Sequence, residues 1–282
     1  MSCMTQLTSF VGYLEDEHIT PPLAIGPTPS ELLDIPLEGS TEIGEHLWGY
    51  NGLHGGLALA LTAIAMSSTG ERSRLRSITG QFLRASRSEI DISARPVHEG
   101  RFVQTMTAVL QSGGKPAIHA TGTFSVEGEP SYQPRGPQPA TSGDPLDYEI
   151  YSMPVEFVPI LRYIEIRPVG VERPLAGGDK PELTAWIRLT GDDTPIDVPR
   201  LITLADALAP SYTAILNELK MLPTIELTVR PGEALTRTSS PWALLHARTT
   251  SATADGWVNE EIDLWSPDGG HLGNASQLRV LR

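Results

Sequence analysis

Residues 102–126 read FVQTMTAVLQSGGKPAIHATGTFSV, and residues 257–281 read WVNEEIDLWSPDGGHLGNASQLRVL. Each is an alternating stretch, a Gly-Gly turn and a second alternating stretch, the pattern of a β-hairpin. Aligning Gly114 with Gly270 puts Gln277 opposite Thr121, so the two copies differ where a buried amide would matter. Near the position of Thr228 the first copy offers Phe82, whose ring cannot orient water. Two similar halves in one chain predict a fused pseudo-dimer, and a cleft between halves is where ligands bind.

The surroundings of the two hairpins match. Residues 51–67 (NGLHGGLALALTAIAMS) predict a helix that is apolar nearly all round, which suits burial inside a core. Four strand patterns follow it: LRSITGQFLRA, EIDISARPVHEG, RFVQTMTAVLQ and KPAIHATGTFSV. Residues 127–147 turn to Pro, Gly and Ser and read as a linker. Beyond it YIEIRPVGVE and KPELTAWIRLTG read as strands. A second helix is expected over LITLADALAPSYTAILNELK, with Pro210 kinking it or lying in its first turn. Four more strands close the chain. A helix followed by antiparallel strands with no crossover helix is an α+β pattern. The expected domains are 1–126, a linker at 127–147, and 148–282.

Composition narrows the function. A net charge of −13 with a pI near 4.9 argues against general nucleic-acid binding. One stretch runs the other way, from Glu71 to Arg101, with Arg72, Arg74, Arg76, Arg84, Arg87, Arg95 and Arg101. It reads either as a charge-protected sheet edge or as a local attractor for an anionic ligand such as a nucleotide phosphate. The single cysteine, Cys3, supports neither a disulfide framework nor a thiolate metal site. His18, His46, His98, His119, His246 and His271 show no metal-ligand spacing, so neither a metal nor a cofactor is expected. The five tryptophans (Trp48, Trp186, Trp242, Trp257 and Trp265) read as core and edge packing. The N-terminus lacks the layout of a signal peptide. The longest apolar run, LALALTAIAM, is about half of what a membrane span needs. A cytoplasmic protein without a membrane span is the expectation.

The order of short motifs resembles the type II acyl-CoA thioesterases and their thioesterase-like relatives. The motifs are Gly-Leu-His-Gly-Gly at the first helix, QFLR and the Gly-Gly hairpin in the first half. In the second half they are Leu-Ala-Asp, Ile-Glu-Leu-Thr-Val-Arg and Ala-Ser-Gln-Leu. The resemblance covers most of the chain apart from about the first thirty residues and the linker. It implies a double hotdog fold, two fused copies of an antiparallel sheet wrapped around a long central helix. It also implies hydrolysis of a fatty acyl-CoA thioester, a place in fatty acid metabolism, and compatibility with a homodimer. The family's water-holding Asp, Ser/Thr and Gln fall by position on Asp206, Thr228 and Gln277. A carboxylate accepts the proton while a hydroxyl and an amide hold the water. There is no Gly-x-Ser-x-Gly elbow for a covalent route.

Alternation puts Ile225, Leu227 and Val229 on one strand face and Thr228 on the other, toward a cleft or seam. His54, Gly55 and Gly56 are the candidates for binding substrate and stabilising the oxyanion, since glycines at a helix start leave backbone N–H groups open to a ligand. The same glycines are explained equally by close helix packing, and His54 by a satisfied core position. The alternative function is a non-catalytic acyl- or ligand-binding protein on the same scaffold.

Overall fold

The computed structural model describes residues 26–35, 39–70, 74–87, 89–126, 136–139, 143–153, 155–191 and 193–282. The first half holds α1 (Pro29–Asp34), α2 (Gly55–Thr69) and strands β1 (Arg74–Phe82), β2 (Ile90–Glu99), β3 (Val103–Ser112) and β4 (Lys115–Ser125). The second half holds β5 (Ile164–Val169), β6 (Glu182–Leu189), α3 (Val198–Leu204), β7 (Thr224–Pro231), β8 (Ala243–Ala252), β9 (Trp257–Trp265) and β10 (His271–Val280). All ten strand patterns read in the sequence form strands. They lie in one antiparallel sheet of order β2-β3-β4-β1-β7-β10-β9-β8-β6-β5. The halves join through β1 and β7, from Ile78 opposite Val229 to Gln81 opposite Glu226. Among the described residues no helix is long and apolar enough to cross a membrane.

The sheet curls around its helices because one face of nearly every strand is apolar. Leu57, Leu59, Leu61 and Met66 of α2 are buried against Ile78, Leu110, Ile118 and Phe124. On β1 this packing needs Gly80, where a Cβ would stand 2.7 Å from Leu59 Cδ1. The second helix is shorter than the sequence suggests. It ends at Leu204, and a separate 3₁₀ turn spans Ser211–Ile215. Pro210 explains the break. In a continued helix its ring would clash with the carbonyl four residues back, which is that of Asp206. That carbonyl accepts instead from His54 Nε2 at 2.9 Å.

The outer face of the sheet differs between halves. In the second, Trp186, Trp242, Leu244 and Trp265 form a separate buried cluster, joined by Tyr148. Residues 136–139 of the expected linker lie here, and Trp265 Nε1 donates to the Pro137 carbonyl at 2.9 Å. The rest of that linker up to residue 142 lies outside the described residues. Arg167 and Arg188 stack over Trp242 and share Glu165. Burial pushes the Glu165 carboxyl up, but hydrogen bonds from the two guanidiniums outweigh it and hold the group below the usual carboxylate range.

The crossing of α2 and α3 is a close contact between the halves. A Cβ on Gly56 would stand 2.6 Å from the Thr203 carbonyl and 2.9 Å from that of Ile202. Backbone does not yield as a side-chain tip does. Gly56→Ala should therefore lower unfolding stability by about 1–3 kcal/mol, measured by urea denaturation. An unchanged midpoint would show that the helices slide apart freely.

Candidate active site

Asp206 lies just past the end of α3, facing the start of α2. Its Oδ2 accepts the Gly56 N–H at 2.9 Å, and its Oδ1 accepts from Gln277 Nε2 at 2.7 Å. A carboxylate suits the N-terminus of a helix, where backbone N–H groups lack partners and the dipole is positive. The side chain is 10% exposed, so the group is nearly enclosed. Gln277, on β10, is buried and pairs in the ladder with Leu227 and Glu260. It therefore faces the helices, as alternation from Ala275 predicts.

Thr228 is not part of this cluster. It sits opposite Ser276 and Thr79, while Gln277 next to Ser276 projects to the other face. Its hydroxyl bonds to that of Thr79 at 2.8 Å on the outer side of the sheet. Alternation had placed Thr228 opposite its apolar neighbours correctly, but that direction leads away from Asp206. The hydroxyl on the Asp206 side is Thr224. Strict alternation would point it outward with Glu226, but the ladder slips between Leu278 and Arg279, leaving Ile225 unopposed. This bulge re-aims Thr224 inward, and its Oγ1 accepts from Arg279 Nη1 at 2.8 Å. Arg279 also donates to Gln277 Oε1 and lies 3.5 Å from Asp206 Oδ1.

The three residues at the helix start separate into three roles. His54 is the N-cap of α2: its Nδ1 accepts the Leu57 N–H at 3.2 Å, so Nε2 carries the proton it gives to the Asp206 carbonyl. Both ring nitrogens are thus committed, and Nε2 is 3.8 Å from Asp206 Oδ2. Gly56 is a packing residue whose N–H already serves Asp206. Gly55 permits the close approach of Asp206, since a Cβ there would stand 2.7 Å from Asp206 Oδ2 and 3.2 Å from the Phe82 ring.

Among the described residues the first half offers no second copy of the cluster. With Thr79 and Thr228 paired at the junction, Gln277 corresponds to Gly122 rather than Thr121. Thr79, rather than Phe82, is the counterpart of Thr228. At Gly122 a Cβ would stand 2.8 Å from Met66 Sδ, so the glycine gives its space to the core.

Two further features border the site. The residues directly after Asp206 (Ala207, Leu208 and Ala209) line a small, partly open cleft of about 40 Å³ with Met153, Leu161, Ile166, Leu183 and Ala185. Tyr151 in its wall is pushed up by burial, against a smaller opposing pull from the Arg173 charge, and so stays a neutral phenol. Arg72 of the arginine-rich stretch lies outside the described residues, and the arginines within them disperse. Arg74 pairs with Glu233, and Arg95 lies on the edge strand β2. Arg84 and Arg87 lie in the loop after Phe82, with Arg87 bound to Asn51.

A single sheet curled around helices from two fused halves, with a polar cluster at the helix crossing, defines a double hotdog protein. Residues 45–125 match the acyl-CoA thioesterase N-terminal domain and residues 132–281 the acyl-CoA thioesterase C-terminal domain. The chain belongs to the acyl-CoA thioesterase family. Solved structures agree on the fold. A hot dog fold protein of unknown function from Alicyclobacillus acidocaldarius is 22% identical with a TM-score of 0.78, over 86% of this chain and 92% of that one. An acyl-CoA thioesterase II from Mycobacterium marinum is 15% identical with a TM-score of 0.66, over 90% and 98%. Comparison with curated proteins gives no match.

The capping role of His54 is open to test. His54→Ala should cost about 0.5–2 kcal/mol of stability, and His54→Asn, which restores a capping acceptor, should recover part of it. A urea midpoint unmoved by His54→Ala would remove the cap from this account.

Proposed function

We propose that the chain hydrolyses a fatty acyl-CoA thioester by direct attack of water, with Asp206 as general base. The observation that carries this reading is the convergence of Asp206, Gln277 and the start of α2 beside an apolar cleft. Water bound at Asp206 gives a proton to the carboxylate as its oxygen bonds to the thioester carbonyl carbon. The carbonyl oxygen becomes an oxyanion, for which the Gly55 N–H is the available donor, since that of Gly56 already serves Asp206. Collapse breaks the C–S bond, and Asp206 returns the proton to the departing thiolate. Gln277 holds Asp206 and keeps a second amide proton for the water. Thr224 takes the place that the sequence assigned to Thr228.

The cleft after Asp206 is the entry for the acyl chain in this reading, because its walls are mostly aliphatic and its phenol is neutral; it must widen to admit a long chain. Arg84 and Arg87 bring positive charge to the loop beside Gly55, which fits the phosphates of CoA. The seam supplies residues from both halves of one chain, so a homodimer is compatible with this reading but not required by it.

The test is thiol release from acyl-CoA esters of graded length. Wild type should turn over, and Thr224→Val should lower kcat by about tenfold or more, by analogy with lost polar donors. Thr228→Val should stay close to wild type. Ala209→Leu should raise KM for long acyl chains more than for short ones. A loss with Thr228→Val and none with Thr224→Val would return the hydroxyl role to Thr228. Tight acyl-CoA binding without turnover at any length would mean a binding protein on this scaffold.

A further inference from the structure

Behind Gln277 lies an ion pair with no step in the chemistry above. Glu260 is 3% exposed and Arg279 6%. They meet diagonally across β9 and β10, with Arg279 Nε donating to Glu260 Oε2 at 3.0 Å. A buried pair is weak evidence for stability, because apolar residues of similar volume commonly serve as well. Its geometry is more informative. Arg279 Nη1 donates to Thr224 Oγ1 at 2.8 Å and to the Leu222 carbonyl at 3.3 Å. Nη2 donates to Gln277 Oε1 and stands 3.5 Å from Asp206 Oδ1. The other Glu260 oxygen accepts the Ser211 N–H. Four of the five N–H donors of Arg279 are thus bound within the protein, and the fifth, on Nη2, lies on the side of Asp206.

We infer that Glu260 and Arg279 are positioning residues for the hydrolytic site: Arg279 fixes which end of the Gln277 amide faces Asp206, and Glu260 keeps Arg279 from closing onto Asp206. The inference rests on the hydrolytic reading proposed above. An amide turned end for end would set its oxygen against the Asp206 carboxylate and its NH₂ against the guanidinium, two repulsive contacts in place of two attractive ones. The arginine therefore admits one orientation, with Nε2 toward Asp206. Glu260 matters because a guanidinium prefers a bidentate carboxylate. Released from Glu260, Arg279 would move the short distance onto Asp206 and occupy the lone pairs that must take the proton from water.

The experiment compares Glu260→Gln, Arg279→Met and the double variant by thiol release, each with and without Asp206→Asn. The double variant leaves no lone buried charge, so it guards against simple misfolding. Positioning predicts a fall in kcat of about ten- to a hundredfold with KM nearly unchanged, for all three. It also predicts little further loss once Asp206→Asn is present, since the pair acts through that site. Equal fractional losses in both backgrounds, or none, would make the pair merely structural.

A second readout does not need turnover. The Gln277 side-chain NH₂ should give two exchange-protected NMR resonances in wild type and lose that protection in the double variant. Unchanged protection would overturn the inference. Absence of thiol release from wild type would defeat the hydrolytic reading instead, and the resonances would still decide the role of the pair.

Discussion

The arrangement of this molecule depends on a helix crossing where one side has no room for a side chain. Gly56 lies against the Ile202 and Thr203 carbonyls, and that proximity sets α3 against the first turn of α2. Asp206, the second residue beyond α3, is thereby delivered to the N–H groups at the start of α2. The turn that places it there follows from Pro210, which stops the helix and frees the Asp206 carbonyl for His54. Three sequence features far apart in the chain (His54-Gly55-Gly56, Asp206 and Pro210) thus produce a single contact. The carboxylate is held from two directions, by backbone at Oδ2 and by Gln277 at Oδ1.

The two halves supply different things to that contact. The first supplies a long apolar helix and its N-terminus; the second supplies every charged or amide side chain. Each half has given up what the other keeps. Gly122 stands where the second half has Gln277, and α3 has shortened where the first half keeps a full helix. Among the described residues the result is a fused pseudo-dimer with one such polar cluster. The outer face follows the same asymmetry, with a tryptophan cluster on the second half only.

Much of this was legible in the sequence. The strands and α2 were readable because period-two alternation and turn residues mark strands, and an all-apolar run marks a buried helix. Asp206, Gln277 and the glycines came from the order of family-like motifs, and the structure brings them together. Which hydroxyl lies with the cluster was not legible, because a bulge at Ile225 reverses the facing of Thr224 and no residue in TIELTVR announces a bulge. The second helix was drawn too long by giving its apolar spacing more weight than Pro210. Glu260 and Arg279 were missed although a signal existed. Val258, Glu260, Ile262 and Leu264 share one face of their strand, and a glutamate on an apolar face needs a buried partner.

The central claim is that Asp206 accepts the proton from the attacking water. The most direct measurement is single-turnover thiol release by wild type and Asp206→Asn, with acyl-CoA affinity measured alongside. Asparagine keeps the shape of the side chain but offers no basic carboxylate. The account predicts a rate lower by about 10²- to 10⁴-fold, with affinity nearly retained. Equal rates in the two proteins would contradict it.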